Sequence, residues 1–247
     1  MHSCAYNYGK KNTMKLKIVA ISDMHGHFPV IKEPADIMLI AGDTVPLEIQ
    51  FNKEFSKQWF ETTFASWINN VPVEKVYMVA GNHDFYFQGI SGINLAEFKH
   101  ATKYKLIYLK NESIVHTLDD GTSVTIFGTP YCTMFGTWPF MREDDYLKKA
   151  FEKIPDKCDI IISHNPPFAW NRSDMILESP RNRYIDEHCG SKPLTERLKE
   201  IDFKLLVCGH IHSGDHNLVD KVVNVSIVNE QYKLAYEPFY TELEFDG

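Results

Sequence analysis

Five short apolar runs, each breaking off into a polar cluster rich in histidine and aspartate, constrain this chain more than any other feature. Leu16–Ser22 runs into Asp23-Met24-His25-Gly26, Asp36–Ala41 into Gly42-Asp43, and Lys75–Ala80 into Gly81-Asn82-His83-Asp84. Ile160–Ser163 runs into His164-Asn165-Pro166-Pro167, and Phe203–Cys208 into Gly209-His210-Ile211-His212. The runs are rich in Val, Ile and Leu without polar alternation, the pattern of strands covered on both faces. Val124–Gly128 and Val222–Val228 share this character, and the stretch to Phe245 reads as mostly β. Helical patterns lie between them. Phe51 to Asn69 sets Phe51, Phe55, Trp59, Phe60, Phe64 and Trp67 near one core-facing stripe, and Arg142–Lys153 and Ser191–Ile201 are shorter helices. Ile107 to Gly128 reads as a hairpin turning at Asp119-Asp120-Gly121. Strands alternating with helices predict a layered α/β domain. Ligands of α/β sheets bind outside the carboxyl ends of the strands, so the five clusters are expected to converge on one sheet edge.

No linker, repeat or low-complexity stretch divides the 247 residues, which suffice for one sizeable domain with its own core. No apolar run reaches bilayer-spanning length, so no membrane partner is expected. Met1 to Thr13 lacks the apolar core of a secretory signal and reads as an N-terminal extension, with Met14 an alternative start. A net charge of -7 argues against tight, non-specific nucleic-acid binding, which relies on a basic surface. The five cysteines form no CxxC pair, and Cys158 and Cys208 flank strand-like runs and read as small core residues. A reducing cytoplasm is therefore the simplest setting.

Taken singly, each polar cluster is commonplace: a turn, a loop or a capped helix start. Five in order, each directly after a strand, have no structural rationale. Imidazole and carboxylate together suit Mn, Fe or Zn rather than Ca, and no cysteine enters the set. Asp43 offers two oxygens that can bridge two ions, and Asn82 offers a neutral amide oxygen. His210 and His212 alternate and can serve different metals. Two divalent ions roughly 3.5–4 Å apart activate water and clamp phosphoryl oxygens.

Asp23-x-His25, Gly42-Asp43, Gly81-Asn82-His83-Asp84, His164 and Gly209-His210-x-His212 together resemble the five signature blocks of the calcineurin-like metallophosphoesterase superfamily. The resemblance spans residues 23 to 212. It implies a four-layer α/β/β/α sandwich with two mixed β-sheets, occupying residues 14–247 as a single domain. It implies two divalent metal ions, with manganese expected and iron or zinc as alternatives. Asp23, His25, Asp43 and His212 would hold the first, and Asp43, Asn82, His164 and His210 the second. His83 would protonate or stabilise the leaving-group oxygen, with Asp84 orienting its ring.

Departures narrow the resemblance. Gly42-Asp43-Thr44-Val45-Pro46 lacks the Asp-Arg-Gly of the Ser/Thr protein phosphatases and the metal-bound Tyr of the purple acid phosphatases. Gly128-Thr129-Pro130-Tyr131 followed by Trp138-Pro139-Phe140 is similar to a segment of the brain 239AB-type phosphodiesterases and their bacterial relatives. Ser163-His164-Asn165-Pro166-Pro167 and Asn224-Val225-Ser226 extend that likeness. It implies hydrolysis of small phosphodiesters, 2′,3′-cyclic nucleotides among them, or of phosphomonoesters. A nuclease of the same superfamily and a non-catalytic scaffold are the rival expectations. Tyr131, Phe135, Trp138 and Phe140 are read as packing residues, although the likeness puts their loop beside the substrate. Arg172, Arg181 and Arg183 between Phe168 and Lys192 are read as solvated, with a phosphate-reaching lid the lesser alternative.

Overall fold

Why these apolar runs lack polar alternation is clear once the strands are placed: both of their faces are covered. The structure, a computed structural model, describes residues 13–89, 95–179 and 184–246. In chain order the first strands are β1 (Thr13–Ile21), β2 (Ala35–Ala41), β3 (Val73–Val79) and β4 (Leu106–Tyr108). Next come β5 (Glu112–Thr117), β6 (Ser123–Thr129), β7 (Cys132–Thr133), β8 (Met141–Arg142) and β9 (Ile160–Ser163). β10 (Leu205–Cys208), β11 (Val222–Asn224) and β12 (Phe239–Asp246) complete the set.

They form two five-stranded mixed sheets, in the orders β12-β1-β2-β3-β4 and β11-β10-β9-β6-β5, with β7 and β8 as a separate two-stranded ribbon. The interior pairings are parallel, and each sheet has one antiparallel edge strand: β12 against β1, and β5 against β6. Side chains of a strand alternate between faces. Ile18, Ala20, Ile37, Leu39 and Ala41 of the first sheet meet Ile126, Ile160, Ile162, Leu205 and Val207 of the second in one apolar cluster. The alternate residues, Val19, Ile21, Met38, Ile40, Ile161 and Leu206, join the helices in another. The order of layers is helix, sheet, sheet, helix.

The helices are α1 (Lys53–Trp59), α2 (Ala65–Asn70), α3 (Ala96–Ala101), α4 (Asp144–Phe151) and α5 (Lys192–Leu198). Asn52 caps α1 by accepting from the amides of Glu54 and Phe55, and Ser191 caps α5. A π turn over Phe60–Phe64 joins α1 to α2. Phe60 and Phe64 are fully buried, as the stripe predicts, but Phe51 and Phe55 are 68% and 58% exposed. Phe51 precedes the N-cap, and five residues of helix turn Phe55 about 140° away from Phe60. Cys158 and Cys208 are core residues as expected.

Of the extension expected over residues 1–13, residues 1–12 lie outside the described residues. Thr13 already begins β1 and pairs with Asp246. Among the described residues, no helix is long and apolar enough to cross a membrane. The stripe yields a direct test. Phe64→Ala should lower unfolding free energy by about 3–5 kcal/mol through the cavity it leaves, and Phe55→Ala by no more than about 0.5 kcal/mol, as read from urea unfolding.

Candidate metal centre

The carboxyl ends of β1, β2, β3, β9 and β10 lie along one edge of the double sheet, and the polar clusters follow directly there. The two sheets are joined at that edge. Ser22 donates its amide to the Val225 carbonyl at 2.8 Å, and the His210 amide reaches the Asp23 carboxylate at 3.0 Å. Asp23, His25, Asp43 and His210 all adopt left-handed backbone conformations, with φ of 53°, 43°, 52° and 70°. Each such residue costs on the order of 1 kcal/mol. The turns are tight enough to require glycine beside them. A Cβ at Gly81 would collide with the Asp43 carboxylate and the His164 ring, and one at Gly209 with Ser22 and Asp23.

Two groups of metal-competent atoms result. Asp23, His25 and His212 form one, and Asp43, His164 and His210 the other, with the atoms of each group within 4.8 Å of one another. Asp43 lies between them. Its Oδ2 is 3.4 Å from His164 Nε2 and 4.0 Å from His25 Nε2. Asn82 Oδ1 is 3.0 Å from His164 Nε2. The backbone presets the tautomers: His164 Nδ1 donates to the Ala41 carbonyl at 2.8 Å and His212 Nδ1 to that of Asn229 at 3.2 Å, so each turns Nε2 inward. Asp23 is held from behind by Ser226 Oγ at 2.5 Å.

The donor set fits a pair of divalent cations by a further observation. Both nitrogens of the His25 ring are buried and have no hydrogen-bond partner. An orphaned buried polar group costs about 1–3 kcal/mol, and a cation at Nε2, which faces Asp43, would satisfy that nitrogen. Burial pushes the His25 pKa down to about 3, and burial with the nearby His164 pushes His210 down to about 3. Both are therefore neutral and able to bind metal. Burial also opposes charge on His164, but Asp43 and Asp23 outweigh it and raise its pKa to about 9. Burial works against the Asp43 carboxylate too, yet His164 and His83 hold it well below its usual range.

A calcineurin-like phosphoesterase family model matches residues 16–214, from β1 to just past the paired histidines. The chain belongs to that family. Relatives agree: it is 24% identical over 251 residues to metallophosphoesterase domain-containing protein 1 of Homo sapiens, covering 92% of this chain and 71% of that protein. It is 29% identical over 212 residues to a probable rhamnogalacturonate lyase C of Emericella nidulans, covering 83% of this chain but only 18% of the lyase's length. Among solved structures, the phosphopantetheinyl hydrolase of Mycobacterium tuberculosis superposes with a TM-score of 0.50 at 13% identity, over 87% of this chain and 90% of its own.

Within this phosphoesterase centre, Asp84 departs from expectation. It was expected to orient His83, yet its carboxylate does not face that ring. The turn from Gly81 folds it inward, where Oδ1 accepts from the Thr44 and Val45 amides and the Thr44 hydroxyl, and Oδ2 from the Gly81 amide. Asp84 thus ties the turn after β2 to the turn after β3, and so fixes Asp43 against Asn82. Burial and neighbouring Asp43 raise its pKa to about 6 despite these donors. The His83 ring instead donates from Nδ1 to Gln50 Oε1 at 2.6 Å, and its Nε2 lies 4.0 Å from Asp43 Oδ2. Gln50 carried no sequence signal. It stands 33 residues upstream of His83 in an irregular loop, and nothing local marks an amide as a histidine's partner.

Tyr232 and Glu230 were missed for the same reason: they reach the site from the turn after β11. With Phe135 and Trp138 they wall a cavity of about 260 Å³ over the histidines. Trp138 is 4.7 Å from the His83 ring, and Tyr232 is 4.8 Å from His25. The four aromatics read as packing thus divide, since Tyr131 and Phe140 are buried while Phe135 and Trp138 face the site. Arg172 is exposed, and Arg181 and Arg183 lie outside the described residues. Replacing Asp84 with Ala would leave three buried amides unpaired, and should lower stability by at least about 3 kcal/mol in denaturant titrations.

Proposed function

We propose that this chain hydrolyses small phosphodiesters with the aid of two divalent cations, manganese being the expected pair. The observation that carries this reading is the position of Asp43, between two histidine-rich groups and within 4.0 Å of the His83 ring nitrogen. Asp23, His25, Asp43 and His212 would hold one cation, and Asp43, Asn82, His164 and His210 the other. Bound there, the cations would supply charge neutralisation for the phosphate and a nucleophilic water at neutral pH.

The chain's own contribution centres on His83. Gln50 Oε1 accepts a hydrogen bond from Nδ1–H, so Nε2 is the nitrogen presented to the substrate. From there, once protonated, it can deliver a proton to the departing oxygen. A neutral amide fixes the ring's orientation without adding a third negative charge beside Asp43 and Asp84. Trp138, packed on the ring, shields it from solvent. The complete ligand set disfavours a scaffold, and the -7 charge disfavours a nuclease. Residues 14–247 are taken as one domain, since β1 and β12 from its two ends pair. The four described cysteines are free, which suits the cytoplasm.

Manganese-loaded protein should bind two equivalents of metal and release p-nitrophenol from bis(p-nitrophenyl) phosphate. In the same assay His83→Ala should reduce kcat by about 10²–10⁴-fold with two metal equivalents retained. Inertness toward a broad ester panel, the four 2′,3′-cyclic nucleotides included, would end this reading. Gln50→Leu should act through leaving-group dependence. The kcat for alkyl leaving groups, which need protonation, should fall by about 10-fold or more, and that for p-nitrophenyl by far less.

A further inference from the structure

Beside the small cavity over the histidines lies a larger one, of about 810 Å³. Phe135 and His210 line both, so the two adjoin at the His164–His210 end of the centre, away from His83. Its outer wall comes from the residues after β9 and the start of α5, through Phe168, Ile176, Tyr184 and Lys192. The wall carries aromatic rings beside the acidic Asp144 and Glu187, and it is braced. The Phe168 ring has the Lys192 ammonium 5.0 Å away and the His188 ring at 5.8 Å, and His188 is anchored to Asp174 at 2.7 Å. Phe135 and Tyr184 are nonetheless 68% and 61% exposed. Bare aromatic surface around a concavity, next to a phosphate-binding centre, is the composition of a ligand seat rather than of ordinary solvent-facing chain.

A phosphomonoester or a cyclic diester has one organic substituent and needs one such wall; an acyclic diester has two, diverging from phosphorus. Trp138 and Tyr232 already wall the His83 end, where the leaving group would sit. We propose that the larger cavity seats the second, retained ester group of an acyclic diester, and that this group is a planar aryl or heteroaryl ring. Face and edge contacts with Phe135, Phe168 and Tyr184 recognise it. Hydrolysis then breaks the P–O bond beside His83 while water's oxygen bonds to phosphorus. The other P–O bond stays intact, and the monoester product keeps its ring in this cavity. The inference rests on the phosphodiesterase reading and adds the substrate class to it.

Phosphinates test the seat without turnover, because they have no ester bond to cleave. Diphenylphosphinate and methylphenylphosphinate differ by one ring. Titrated calorimetrically into manganese-loaded protein, the diphenyl anion should bind at least ~10-fold tighter, since each ring finds its own wall. Ile176→Trp, which fills the cavity, should cut that advantage to below ~2-fold with two metal equivalents retained. Tyr184→Ala, at an exposed position, should shrink it by at least ~3-fold. Equal affinity of the two anions for the native protein overturns the proposal, as does an advantage that survives both substitutions. Inertness toward the whole ester panel with the two-ring preference intact would sink the phosphodiesterase reading and uphold the cavity as a ring seat.

Discussion

The structure depends on keeping one carboxylate, Asp43, charged and buried where two sheets meet. Withdrawing such a group from water costs several kcal/mol unless partners surround it. Here they come from every side: the His83 amide on Oδ1, and the His164, His25 and His83 rings around Oδ2. Asp84 fixes the turn that carries Asp43, and Gly81 leaves room for its oxygens. This arrangement places the candidate ligand groups.

The arrangement has an energetic counterpart elsewhere. Four of the candidate ligand residues hold left-handed backbones, and the double apolar core offsets their strain. The strands leading into the site are buried on both faces, so their ends cannot relax without disturbing two apolar clusters at once. Strain kept at a rigid edge is a familiar means of holding functional groups in a geometry they would not choose.

The division between legible and illegible features follows sequence distance. The five strands and the polar clusters after them are legible in the sequence, because each cluster sits within a few residues of the apolar run that positions it. The hairpin at Asp119-Asp120-Gly121 and the caps at Asn52 and Ser191 obey equally local rules. Where reasoning by proximity in the chain was applied to a partner, it failed. Asp84, next to His83, turned away from it to satisfy amides of another loop, and the ring found Gln50 instead. Phe55, placed with the core by periodicity, faces solvent because the buried stripe starts at Phe60, five residues farther along the helix.

Sequence alone therefore determined the layered α/β class, the candidate metal ligands and the resemblance to a family, since these reside in runs of residues and in the types that follow them. Only tertiary structure decided that Asp43 stands between two groups, that Gln50 governs the tautomer of His83, and that Phe135 and Trp138 wall the site while Tyr131 and Phe140 pack. Those outcomes depend on which side chains from distant segments compete for the same volume and the same hydrogen bonds, and that competition is settled only when both sheets are in place.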